Sequence, residues 1–109
     1  MDIIKSSTEI SALFNSGQRF NTPYFTLIVS SDEKQHDHHG RAAFVAGKKN
    51  GNAVWRNRAK RRMRAVCRET DGPYEGYKVV FLAKRNIDNV SFDELKHACN
   101  KALHKAGIR

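Results

Sequence analysis

Apolar and polar positions along this chain change period four times, and each change marks an element. Ile10, Leu13 and Phe14 recur at helical spacing after Ser6, which has Glu9 three residues on, the arrangement of a capping box. Gly17 supplies the left-handed stop expected at the end of such a helix. From Phe20 to Val29 the pattern alternates, with Phe25, Leu27 and Val29 on one face and Tyr24, Thr26 and Ile28 on the other. Pro23 places this strand's start, or its edge. Residues 30–40 are polar and end in glycine, which predicts an exposed loop, and Arg41 to Gly47 reads as a second strand forming a hairpin with the first.

The next element is helical from Ala53 to about Glu69. Asn52 is its N-cap, Trp55, Ala59, Met63 and Val66 form one stripe with Cys67 beside it, and Asp71-Gly72-Pro73 stops it. Tyr77 to Ala83 is almost wholly apolar, which predicts a central strand. Ser91 and Glu94 open a last helix as a second capping box, with Val90 stapled to Leu95. Phe92, Leu95, Cys99, Ala102, Leu103 and Ala106 are its expected buried side, and Gly107 its end. The order α-β-β-α-β-α gives an α+β class: a single domain over residues 1–109, with helices packed on a mixed sheet.

Charge changes the picture. Lys48 to Arg68 holds nine basic side chains and no acid, within a chain of 20 Lys+Arg and 11 Asp+Glu; elsewhere basic and acidic residues balance. A net charge of +9 concentrated in one helix and the turn before it predicts a polyanion-binding surface. At 100° per residue, Asn57, Arg61, Arg64 and Arg68 lie opposite the apolar stripe, with Arg58 and Lys60 flanking. A solvated, salt-bridged face would interleave acids; this one does not. The cations are mostly arginine, which suits bidentate recognition of phosphate. Lys48 and Lys49, with backbone N–H groups at Gly51 to Ala53, add a candidate phosphate pocket. Trp55 reads as a packing residue of the stripe.

Other chemistry is sparse. Catalysis by this chain's own residues would need clustered carboxylates or a placed histidine pair, and the acids are dispersed. His36, Asp37, His38 and His39 match no structural zinc spacing and read as a solvated loop. His97 and His104 read as surface or half-buried residues of the last helix. Cys67 and Cys99 are expected to be reduced packing thiols. Neither a secretory signal nor a membrane span is read, so a cytoplasmic protein without membrane contact is expected.

The run from Lys48 to Arg62, KKNGNAVWRNRAKRR, closely resembles the signature of the bacterial ribonuclease P protein subunit, the RNR motif. LFNSG before it, GYKVVFLAKR after it and the Ser91-Phe92 helix extend the resemblance over essentially the whole chain. The resemblance implies a two-layer sandwich like a ribosomal-protein domain, with a left-handed β-α-β crossover. It implies a partnership with a catalytic RNA that removes the 5′ leader of precursor tRNA, using Mg²⁺ held mainly by RNA and substrate, with no obligate protein partner. Lys48, Lys49, Asn52, Arg56, Asn57, Arg58, Lys60, Arg61, Arg62, Arg64 and Arg68 would contact RNA. Ile10, Phe14, Thr26 and Ile28, with Lys84 and Arg85, would line a leader cleft. The family usually carries aromatics at the Ile10 and Ile28 positions, so weaker base stacking is expected here. The nearly uncharged N-terminus also departs from the family pattern. The competing class is a non-catalytic RNA-binding module such as a small ribosomal protein; no helix-turn-helix signal supports a DNA binder.

Overall fold

The structure is a computed structural model that describes residues 2–31 and 40–109. Three helices, α1 (Ser7–Ser16), α2 (Ala53–Glu69) and α3 (Phe92–Lys105), pack on four strands. These are β1 (Gln18–Asn21), β2 (Phe25–Ser31), β3 (Arg41–Val45) and β4 (Tyr77–Ala83), in spatial order β1-β2-β4-β3. β1–β2 and β2–β4 are antiparallel, and β3–β4 is parallel. The mixed α+β architecture and the central place of the third predicted strand are as expected.

Three expectations about the strands are corrected. The single strand from Phe20 to Val29 is two, because Thr22 folds the chain back: its hydroxyl accepts from the Tyr24 and Phe25 amides and donates to the Phe25 carbonyl. Ser30 and Ser31 extend β2 instead of opening the loop. The strand beginning at Arg41 does not pair with β2; β4 lies between them. The loop residues from Asp32 to His39, with the histidine cluster, lie outside the described residues.

Alternation in β2 and β4 feeds two cores. Phe25, Leu27, Val29, Val79 and Phe81 face α2 and α3, where the Trp55, Ala59, Met63, Val66 and Cys67 stripe is buried as expected. Ile28 and Val80 face the other way and meet Leu13 of α1, Ala43 and Ile4. Both sheet faces are therefore covered, the second only in part. Residues 2–4 run beside β3, with Ile4 N–H donating to the Ala42 carbonyl at 2.8 Å. That contact blunts an otherwise open sheet edge.

The α1 cap forms, with Ser6 Oγ accepting from the Glu9 amide. Glu9's own carboxylate instead bonds Arg41, at 2.8 and 3.3 Å, with Lys78 at 3.6 Å. Those cations hold its carboxyl below the ordinary carboxylate range, the Arg41 hydrogen bond contributing most. Gly17 is extended (φ −69°), not left-handed; glycine is required because a Cβ would lie 2.5 Å from the Leu13 carbonyl oxygen and 2.6 Å from Ile28. Gly107 does end the α3 segment at positive φ. Phe92 is exposed, since the buried stripe of α3 starts at Leu95 and takes in Ala98.

Candidate nucleic-acid interface

Helix α2 is built from its first residue. Asn52 Oδ1 accepts from the Trp55 amide at 3.0 Å, fixing the N-terminus. Gly51 precedes it with no room for a side chain, because a Cβ would sit 2.7 Å from the Trp55 ring. Trp55 is buried, and its indole N–H donates to the Arg85 carbonyl oxygen at 3.1 Å. Packing is thus the role of this tryptophan, and the turn carrying Lys84 and Arg85 is tied to the start of the basic helix.

The cations divide by environment. Asn57, Arg58, Arg61 and Arg68 are exposed, as are Lys48, Lys49 and Asn52 just upstream. Arg56, Lys60, Arg62 and Arg64 are half-buried. Arg56 donates to the Gly51 carbonyl at 3.3 Å, bending back over the N-terminal turn. Arg62 reaches the Val90 carbonyl, and its Nε is buried without a partner. Arg64 does not face squarely away from the stripe; its guanidinium lies 5.5 Å from the Phe44 ring centroid, a cation–π contact at the β3 side. Among the described residues no carboxylate pairs with any α2 cation. The acids at the C-terminal end of α2 are engaged elsewhere, Glu69 with Lys96 and Asp71 with Arg109. A dense positive field is therefore left facing solvent, not cancelled inside the fold.

A second feature lies on the sheet face that α1 leaves partly open. One lateral register crosses all four strands through Asn21, Thr26, Leu82 and Val45. Val45 and Leu82 are half-buried, Asn21 is exposed, and Thr26 donates to Asn21 Oδ1 at 2.7 Å. Ile10 and Phe14 of α1 stand half-buried over this face. Ile28, by contrast, is fully buried beneath α1, so its side chain is core. Lys84 is drawn to the Thr22 carbonyl at 2.6 Å, while the Arg85 side chain is exposed.

Sequence reasoning missed Arg19. It donates to the Phe14 carbonyl at 3.1 Å and sets its guanidinium 5.7 Å from the Phe14 ring centroid, putting charge on the cleft wall. It precedes the alternating segment that begins at Phe20, on a four-residue strand with one apolar residue, so it left no signal. Leu82 and Val45 were legible only as core.

A further cluster of buried polar groups lies between α2 and α3. Thr70 Oγ1 lies 2.7 Å from Tyr74 OH and 3.8 Å from Cys99 Sγ. Both cysteines are free and buried. Burial pushes the Cys67 thiol up to about 12 and raises Cys99 and Tyr74 as well. These groups are protonated packing residues at neutral pH. Among the described residues no three His, Cys, Asp or Glu side chains converge as metal ligands, and no helix is long and apolar enough to cross a membrane.

A small α+β domain, one helix of which carries arginines with no carboxylate partner among the described residues, beside a partly open sheet face, is the class these features define. The ribonuclease P family profile matches residues 2–107, and the chain belongs to that family, the protein component of a tRNA-processing endoribonuclease. It is similar to the ribonuclease P protein component of Oceanobacillus iheyensis, 32% identical over 106 residues that cover 96% of this chain and 86% of that one. The Finegoldia magna protein component is 29% identical over 107 residues, covering 94% and 91%. In fold it resembles the Staphylococcus aureus RNase P protein, with a TM-score of 0.82 at 18% identity over 99% of this chain and 97% of that one. The Thermotoga maritima RNase P protein gives a TM-score of 0.79 at 19% identity, covering 96% and 97%. The ribosomal-protein alternative gives way to this membership.

Proposed function

We propose that the chain grips the catalytic RNA of ribonuclease P with the arginine face of α2, and carries the 5′ leader of precursor tRNA across the open sheet row beside α1. The observation that carries this reading is the set of α2 cations with no carboxylate partner among the described residues. An unpaired arginine array in water repels itself, and RNA phosphates relieve that repulsion while releasing counterions. A-form major grooves are too narrow for a helix, so contact is to phosphates and irregular RNA shape.

The exposed members, Arg58, Arg61 and Arg68 with Lys48 and Lys49, make the direct contacts. Arg56, Arg62 and Arg64 hold the helix to its surroundings and add charge behind that face. On the sheet, Phe14 and Arg19 form one wall, Thr26 and Leu82 the floor. Lys84 shapes the floor by holding the Thr22 turn, and Arg85 projects beside α2.

Mg²⁺ is assigned to RNA and substrate, and the protein's part is to position phosphates and lower their repulsion. The setting is cytoplasmic. A tagged chain purified from a bacterial lysate should bring down a structured RNA of several hundred nucleotides. Recovery of ribosomal particles, or of no RNA, would contradict the reading.

A further inference from the structure

The lateral row on the sheet has two ends, and both are basic. At the β3 end, Val45 leads through Ala46 and Gly47 into Lys48 and Lys49 and then α2. At the β1 end, Asn21 leads over the Thr22-Pro23 turn into a groove against α3, a cavity of about 200 Å³. Asn21 belongs to both: it bonds Thr26 on the sheet and lines the groove. The α3 wall presents His97, Lys101 and Lys105, which fall on one i, i+4 row with a rise of ~6 Å between neighbours. All three are exposed, and among the described residues neither lysine pairs with an acid. The one carboxylate in the groove, Glu94, sits a turn before His97.

From this continuity we propose that the α3 groove is a distal subsite for the leader. A strand lying on the Asn21–Thr26–Leu82–Val45 row would pass over the β1 edge and place its outer phosphates on Lys101 and Lys105, with His97 as a further polar contact. The subsite reads phosphate more than base identity, since its wall offers two lysines and no Phe, Tyr or Trp ring, His97 being its one ring. It rests on the leader reading above, and extends it to nucleotides beyond the sheet.

The test uses reconstituted holoenzyme and three substrates: mature tRNA, precursor whose short leader ends on the sheet, and precursor whose long leader reaches past β1. Wild type should bind the long leader more tightly than the short one. The Lys101→Ala/Lys105→Ala variant should lose that gain, by ~3- to 10-fold for two exposed phosphate contacts, and leave short-leader binding alone. Lys101→Arg/Lys105→Arg should keep it, and Glu94→Gln should increase it. Both lysines lie outside the buried stripe, so the alanine variant should melt like wild type. The subsite is overturned if wild type gains nothing from the longer leader. It is equally overturned if the alanine variant retains the gain, or loses affinity equally for all three substrates. Equal wild-type binding of mature and leader-bearing tRNA would instead overturn the leader reading itself.

Discussion

The Trp55 indole N–H donates to the Arg85 carbonyl oxygen at 3.1 Å, so the residue that anchors the basic helix also fixes the turn after β4. Trp55→Phe keeps most of the packing and removes the donor, leaving a carbonyl short of a partner. Stability should fall by ~1–2 kcal/mol in a denaturant titration. An unchanged midpoint would show that the bond anchors nothing.

Arginines of α2 should separate into two groups by what they touch. Arg58→Ala with Arg61→Ala should weaken RNA binding and lower the salt slope by ~0.7–0.9 per lost phosphate contact. Stability should stay within about 0.5 kcal/mol, since both side chains are exposed. Arg62→Ala should cost stability as well as affinity, because it removes the bond to the Val90 carbonyl. Equal destabilisation by both sets would contradict this division.

Phe14→Ala is expected to weaken binding of leader-bearing precursor more than of mature tRNA. Phe14 is half-buried, and its ring carries Arg19 on the cleft wall. Stacking contributes ~1–3 kcal/mol per base. Equal losses on the two substrates would assign Phe14 to packing alone.

Much of this was legible in the sequence where a strong local signal and the tertiary environment agree. Asn52, the four-four-three stripe and the Asp71-Gly72-Pro73 stop gave α2 its observed bounds. The apolar run in β4 read correctly as central because its two faces feed the two cores, Val79 and Phe81 on one side and Val80 on the other. Errors arose where sequence neighbours were taken as spatial neighbours. β2 and β3 adjoin in the chain but flank β4, a pairing that depends on α2 returning the chain in parallel. β1 has Phe20 as its single apolar residue and so carries no periodic signal, which hid Arg19 with it. Ile28 matched a cleft position by family resemblance, yet α1 closes over it, which only packing reveals. Gly17 carried a true constraint with the wrong cause: close approach, not a left-handed turn.

Glu9 gives an acid-side prediction. Its carboxyl is held below the usual value of 4.5 by Arg41 and Lys78, so the folded state favours the ionised form. The associated stability is fully present above that pH and is lost as pH falls through the lower folded value. Glu9→Gln should be less stable at neutral pH and should show a flatter loss of stability below 4.5 in thermal melts. A parallel acid branch in wild type and variant would remove Glu9 from the account.

The buried thiols act at the other end of the scale. Cys67 moves from 9.0 to about 12, so unfolding releases a proton more readily than the native state does. Stability from this group is complete below pH 9.0 and declines as pH rises toward about 12. At neutral pH alkylation of Cys67 and Cys99 should track unfolding. Rapid labelling of the native protein would contradict their burial.

Reconstitution reaches the central claim most directly. A bacterial ribonuclease P RNA, precursor tRNA and a Mg²⁺ concentration too low for the RNA alone are combined with this protein or with its Arg58→Ala/Arg61→Ala variant. Wild-type protein should restore removal of the 5′ leader, and the folded variant should restore much less, with the deficit narrowing as Mg²⁺ is raised. Failure of the wild type to restore cleavage, or full rescue by the variant, would contradict an RNA grip built on the exposed arginines of α2.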